Sequence, residues 1–113
     1  MNIKKNTLTF EKELLDENNL TIIIGNGQTG VITLIKPNGK AITKKNIIEN
    51  EPIGSKDDIK NKKIIISAVI TDFRDDTDLC TLQINLNAHQ FEMISGDADP
   101  DDRLLSFPTV IKL

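Results

Sequence analysis

The sequence predicts an all-β domain: a single antiparallel β-sandwich of about seven to nine strands spanning residues 1–113, with one or two short helical turns. Three features of the chain carry this expectation. Branched aliphatic residues come in short runs separated by Asn, Asp, Gly and Pro. Several of those runs alternate apolar and polar residues with a period of two, and helical periodicity is nearly absent. A small Greek-key barrel is the alternative closure of the same elements.

The first strand is expected at Asn6 to Leu14, where Leu8, Phe10 and Leu14 share a face with Lys12 as the chain leaves the sheet. Leu20 to Ile24 is the second. The Gly-rich run 25–30 then turns the chain, and Val31 to Ile35 returns as a third strand, so the pair reads as a hairpin. Pro37 and Asn38-Gly39 make the next turn, leading to a short polar strand at Ala41 to Thr43. Lys44 to Lys63 reads as a charged connection crossing between sheets, with Ile47, Ile48, Ile53 and Ile59 as isolated anchors. Within it, Ser55-Lys56-Asp57-Asp58 has the spacing of a capping box and predicts one helical turn.

Lys63 to Asp72 is the strongest strand. Ile64, Ile66, Ala68 and Ile70 lie on one side and Ile65, Val69 and Thr71 on the other, which requires a central position or cover on both faces. Leu79 to Leu86 follows, with Cys80, Leu82, Ile84 and Leu86 inward. Asn87-Ala88 turns into His89 to Ile94, with Phe91 and Met93 inward. Asp97 to Ser106 reads as a loop with one helical turn, capped by Asp99 and entered through Pro100, with Leu104, Leu105 and Phe107 plugging one end of the core. A last strand, Thr109 to Leu113, needs an early strand as partner to be held at the chain end.

A chain of 113 residues hides roughly two thirds of its unfolded surface on folding, enough for one core without staples. Its single cysteine has no partner within the chain and sits in an apolar alternation, the setting of an inert buried thiol; a reducing, cytoplasmic compartment fits it. No secretory leader is recognisable at Met1 to Phe10. The longest apolar runs, Leu20 to Ile24 and Ile64 to Ile70, are far short of the roughly 20 residues that span a bilayer, so no membrane insertion is expected. Charge divides unevenly: residues 1–70 carry eleven lysines against eight acids, a balance of +3, and residues 71–113 three bases against nine acids, a balance of −6. Lysines scattered among acids and an acidic C-terminal part argue against nucleic acid. Without Trp or Tyr, and with only four Phe, the chain lacks the stacking platforms of carbohydrate-binding and single-strand-binding surfaces.

Gly25-Asn26-Gly27-Gln28-Thr29-Gly30 matches the dinucleotide fingerprint in letters. The fingerprint needs a helix after its third glycine, and Val31 to Ile35 is β-branched, so the run reads as a turn. Two acidic loops hold more interest: Asp72, Asp75, Asp76 and Asp78 in the first, Asp97, Asp99, Asp101 and Asp102 in the second. If the strands 63–72, 79–86 and 89–94 form a meander, both loops sit at one end of the sandwich. Their carboxylates could there supply the six to eight oxygens that Ca²⁺ takes. The second loop departs from the helix-loop-helix calcium pattern, with Asp102 in the glycine position and Pro108 in that of the bidentate Glu. Solvated turns and helix caps account for the same residues.

The lone His89 sits beside a tight turn. Any imidazole chemistry, in a small enzyme or enzyme subunit pairing it with a carboxylate, has to use it. With one His and one Cys, zinc has too few ligands. No convergent catalytic set or cofactor motif emerges, and the expectation is a non-catalytic protein–protein interaction or assembly module, self-associating through sheet edges or an apolar sheet face. Asn6 to Leu14 and Thr109 to Leu113 are the candidate edges, and the second apolar side of strand 63–72 the candidate face. A calcium-dependent binding module using the two acidic loops is the runner-up.

Overall fold

In the computed structural model, which describes residues 1–113, two mostly antiparallel sheets pack face to face, and no barrel closes. The strands are β1 (Asn2–Ile3), β2 (Asn6–Thr9), β3 (Asn18–Ile24), β4 (Thr29–Ile35), β5 (Ala41–Lys45), β6 (Ile47–Gly54), β7 (Lys63–Thr71), β8 (Leu79–Leu86), β9 (His89–Gln90), β10 (Ile94–Asp97) and β11 (Leu104–Lys112); one helical turn, α1 (Lys56–Ile59), precedes β7. The first sheet has the order β1-β11-β7-β4-β5, with β2 continuing β1 along β11. The second has the order β10-β8-β3-β6, with β9 continuing β10 along β8.

Period-two burial builds the core. Leu20, Ile22 and Ile24 of β3 and Leu82, Ile84 and Leu86 of β8 face Ile32 and Leu34 of β4, Ile64, Ile66 and Ile70 of β7, and Leu105, Phe107 and Ile111 of β11. Burying a side chain of this size contributes roughly 1.5–3 kcal/mol. Cys80 is buried among them, and burial, followed by the negative charges of Asp72, Asp97 and Asp78, pushes its thiol up to about 11, as expected of an inert core cysteine. As predicted, β7 is central in its sheet, and β11 is held by β1 and β2 on one side and β7 on the other.

Several expectations are corrected. The segments around run 25–30 do not pair as a hairpin: β3 lies in the second sheet between β6 and β8, and β4 lies in the first between β5 and β7. The turn chemistry is that of a hairpin, since Asn26 and Gly27 both have positive φ and Gln28 N donates to the Gly25 carbonyl at 3.2 Å. Its flanks are pulled apart by Asn46. The Asn46 carbonyl accepts from Ile24 N, its N–H donates to the Gly30 carbonyl, and its side-chain oxygen accepts from Gly30 N and Thr29 Oγ1. With φ at 67°, Asn46 is also where the chain passes from β5 in one sheet to β6 in the other. The stretch read as a charged connection therefore holds a full strand, β6, hidden by Glu49, Asn50 at positive φ, Glu51 and Pro52.

At the other end of the chain, β11 begins at Leu104 rather than Thr109 and is not an edge. Leu104, Leu105 and Phe107 belong to this strand, and residues 98–103 contain turns but no helix. The segment predicted as strand His89 to Ile94 is interrupted by a bulge: three steps from Leu82 to Asn85 face four from Gln90 to Ile94. The bulge drops Phe91 into the core and leaves Met93 half exposed, not inward. The first strand ends at Thr9 instead of Leu14. The predicted turn at Ser55 is present as α1, but the Ser55 side chain makes no cap hydrogen bond.

Candidate functional site

Two surfaces stand out, an acidic end and an uncharged sheet face. At the acidic end, three loops that carry the chain from one sheet to the other come together: residues 25–28, 72–78 and 98–103. The predicted meeting of the two acidic loops holds, although β7 and β8 lie in different sheets and form no meander. Ala98 N donates to the Asp78 carbonyl at 2.9 Å and Asp72 N to the Arg103 carbonyl at 2.8 Å.

The centre of this end is Asp72, only 1% exposed. Its Oδ1 accepts from Gln28 Nε2 at 2.7 Å and from Arg74 N at 3.0 Å, while Gln28 Oε1 accepts from Phe73 N. With both carboxyls ionised its Oδ2 has no hydrogen-bond donor, a role open only to a protonated Asp78, and Arg103 Nη2 stands 3.6 Å away. Arg103 also donates to the Arg74 carbonyl at 2.7 Å, and Arg74 caps the first loop through the Asn26 carbonyl at 2.8 Å. Two arginines and one glutamine thus bind three loops around one buried carboxylate. Gln28 and Arg103 were not singled out in the sequence; the signal available was an amide inside a Gly-rich turn and an arginine ending a run of acids.

The other acidic residues disperse. Asp75 projects into solvent, 3.6 Å from Arg103, and Asp76 pairs with Arg74 Nε at 2.9 Å. Asp99 and Asp102 accept from the backbone of Asp101 and Leu104 and receive the Met1 ammonium, while Asp101 stays exposed. Asp97 is exposed and acts on Asp78 by its charge. Only Asp78 lies against Asp72, and no three His, Cys, Asp or Glu side chains come together in an arrangement that could hold a metal ion.

Burial alone would push the Asp72 carboxyl up. Hydrogen bonds from Gln28, Arg74 N–H and Asp78, with the Arg103 charge, outweigh it and hold Asp72 below the ordinary 3.8. Asp78 moves the other way, raised by its hydrogen bond to Asp72, then by burial and the charges of Asp72 and Asp97. The linkage signs are opposite. The Asp72 contribution is present above 3.8 and lost as pH falls through its lowered value. The Asp78 contribution is present below 3.8 and lost as pH rises through its raised value. An Asp78→Asn variant keeps a neutral donor at every pH. Its melting temperature should therefore gain on that of the parent as pH goes from 4 to 7, in paired thermal melts; a constant difference would show that the two carboxyls are uncoupled.

His89 is half-buried, its ring edge-on to Phe91 at a centroid distance of 4.8 Å and to Phe10 at 5.8 Å. It borders an open cleft of about 330 Å³ floored by Phe10 and Leu86, with Glu13 on the rim. Glu13 is turned toward Lys56 at 3.7 Å.

The second surface is the outer face of the first sheet. Register places Val110, Ile65, Ile35 and Ala41 in one cross-strand row, Pro108, Ser67, Thr33 and Thr43 in the next, and Ser106, Val69, Val31 and Lys45 in a third. Thr33 and Thr43 join hydroxyls at 3.1 Å across the middle row. Val31 is 48% and Ile65 36% exposed, and the only charge in these three rows is Lys45, beside Val31 at the β5 edge. The outer face of the second sheet is mixed. Gln83, Asn85 and Gln90 bond their side-chain amides to one another on one half, and beside Gln83 the other half carries the pair Ile23 and Ile47, the latter 40% exposed. Three of the four sheet edges are guarded: β5 by Lys44 and Lys45, β6 by Pro52 and register shifts, the β1–β2 edge by the break at Lys4-Lys5.

No helix of the structure is long and apolar enough to cross a membrane. Comparison of the chain with protein-family models, curated proteins and solved structures returns no match.

Proposed function

We propose that the protein is a non-catalytic interaction module that binds other protein surface through the outer face of the β1-β11-β7-β4-β5 sheet. The observation that carries this reading is the half-exposure of Val31 and Ile65 within three cross-strand rows whose only charge is Lys45 at the β5 edge, on a sheet whose edges are guarded. Several half-exposed aliphatics flanking a short row of hydroxyls, with no charge at the centre, are what a binding face presents, and single exposed aliphatics are not. The face is preferred over the two edges named as alternatives, because the break at Lys4-Lys5 interrupts the β1–β2 edge and Thr109 to Leu113 lies inside its sheet.

The test is uptake of an apolar dye, anilinonaphthalene sulfonate, by folded protein dilute enough to sediment as a single chain. Dye fluorescence should rise, the methyl resonances of Val31, Val69 and Ile65 should shift, and Val31→Lys should remove most of the uptake with little change in melting temperature. Folded protein that leaves the dye dark would make this an ordinary solvent-facing surface and end the reading.

A further inference from the structure

Resting on that reading of the face, we infer that its occupant is a second copy of this chain, docked sheet on sheet about a two-fold axis that lies in the face and runs across the strands. On β7 and β4 the three rows make a ridge, a trough and a ridge, with Ile65 and Ile35 high, Ser67 and Thr33 low, and Val69 and Val31 high again; on β11 the same rows hold Val110, Pro108 and Ser106. An axis between the Ser67 row and the Val69 row lays each copy's Val69 ridge into the other's Ser67 trough. It also brings Ile65 and Ile35 over Thr71 and Thr29, with Val110 over Leu104 of the same row. The surface is complementary to itself, which is what an isologous contact requires.

Charge selects the same arrangement. The face is uncharged at its centre, so two copies meet there without repulsion, and a partner recognised by charge finds nothing to read. Along the strands the margins have opposite sign. Lys63 and Lys112 pair at one end of β7 and β11, and the acidic loops 72–78 and 98–103 leave from the other. A two-fold axis across the strands swaps the ends and sets the lysines of each copy over the acids of the other. An axis along the strands would stack like charge on like. The size also suits: five strands about 4.8 Å apart and rows about 6.8 Å apart give roughly 600 Å² in projection. The accessible area of a pleated surface exceeds its projection, and a standard interface takes roughly 800 Å² from each partner.

Sedimentation equilibrium of the full chain, with methyl resonances followed on dilution, tests this. The expected mass rises with concentration from the 12.6 kDa of one chain to twice that, and dilution moves the methyls of Val31, Val69 and Ile65. Ser67→Arg, a substitution at an exposed position, fills the trough and should weaken the dimer at least about 100-fold with a nearly unchanged melting temperature. Gln90→Arg on the other sheet should leave the dimer intact. A single-chain mass up to 1 mM overturns the second copy, and dye still bound at Val31 would then leave the face open to a different protein. A dimer whose dilution moves residues of β5 or β6 instead overturns the inference and the face reading together, as does a Ser67→Arg protein that dimerises as tightly as its parent.

Discussion

Gly30→Ala should lower the melting temperature by about 12 °C or more, the largest effect of any single methyl added to this fold. Gly30 has no unusual backbone angle; its requirement is space. A Cβ at this position would sit 2.4 Å from the Val69 carbonyl oxygen, 2.8 Å from Ile24 Cδ1 and 3.0 Å from Ile70 Cα. Two of those three atoms are backbone of the central strand β7 and cannot swing away as a side-chain tip could. Relief requires β4 to lift from β7, and Gly30 is also the residue that Asn46 grips by both N–H and carbonyl where the chain changes sheets. Overpacking of a rigid site costs about 3 kcal/mol or more, and each kcal/mol moves the midpoint by roughly 4 °C or more in a domain of this size. Gly39→Ala is the control. That glycine has open space around it but a φ of 86°, so its alanine meets backbone strain alone and should lower the midpoint by only a few degrees. Differential scanning calorimetry of the two variants distinguishes them; equal losses would show that the contact at Gly30 is readily relaxed.

The same glycine shows what a sequence can and cannot disclose about this fold. The alternation in β7 and β8 was readable, because period-two burial is a property of each strand by itself. Which sheet a strand joins was not, since alternation states which side of a strand is buried and not who lies beside it. The runs holding Ile22 and Ile32 read alike as successive strands, and the two buried residues lie in opposite sheets rather than side by side. The turn at Asn26-Gly27 has the backbone of a hairpin without the hairpin, because the grip of Asn46 on Ile24, Thr29 and Gly30 is a contact between residues about twenty positions apart. Strand β6 was hidden for a different reason: on an edge, Glu49, Glu51 and Pro52 are tolerated and erase the periodicity. The apolar second side of β7 was legible and leads directly to the bare face, whereas its ridge-and-trough relief needed the register of four strands. At the acidic end the aspartates were legible as a group, but the distinction between buried Asp72 and solvated Asp75 rests on Gln28 and Arg103, which arrive from other loops.

Replacing that buried carboxylate supplies the second large effect. Asp72→Ala should lower the melting temperature by about 8–15 °C at neutral pH, since it removes the acceptor of Arg74 N–H, leaves Gln28 Nε2 only the Leu79 carbonyl, and takes from Arg103 a charge that helps hold the loops 72–78 and 98–103 together. Asp72→Asn should behave differently. The amide oxygen can keep both hydrogen bonds now made by Oδ1, and the amide nitrogen puts a donor where Oδ2 has none, beside the carboxyl of Asp78. Against this stands the lost attraction to Arg103, which is weak at 3.6 Å and half open to water on the arginine side. The asparagine variant should therefore melt within about 4 °C of the parent at neutral pH, and addition of Ca²⁺ should shift neither. If Asn and Ala are equally damaging, the charge of Asp72 and not its hydrogen bonding holds the three loops. If Ca²⁺ raises the midpoint of the parent and not of the asparagine variant, the vacant side of Asp72 Oδ2 is an anchor for a cation, and the acidic end would have to be treated as a calcium-dependent site in its own right.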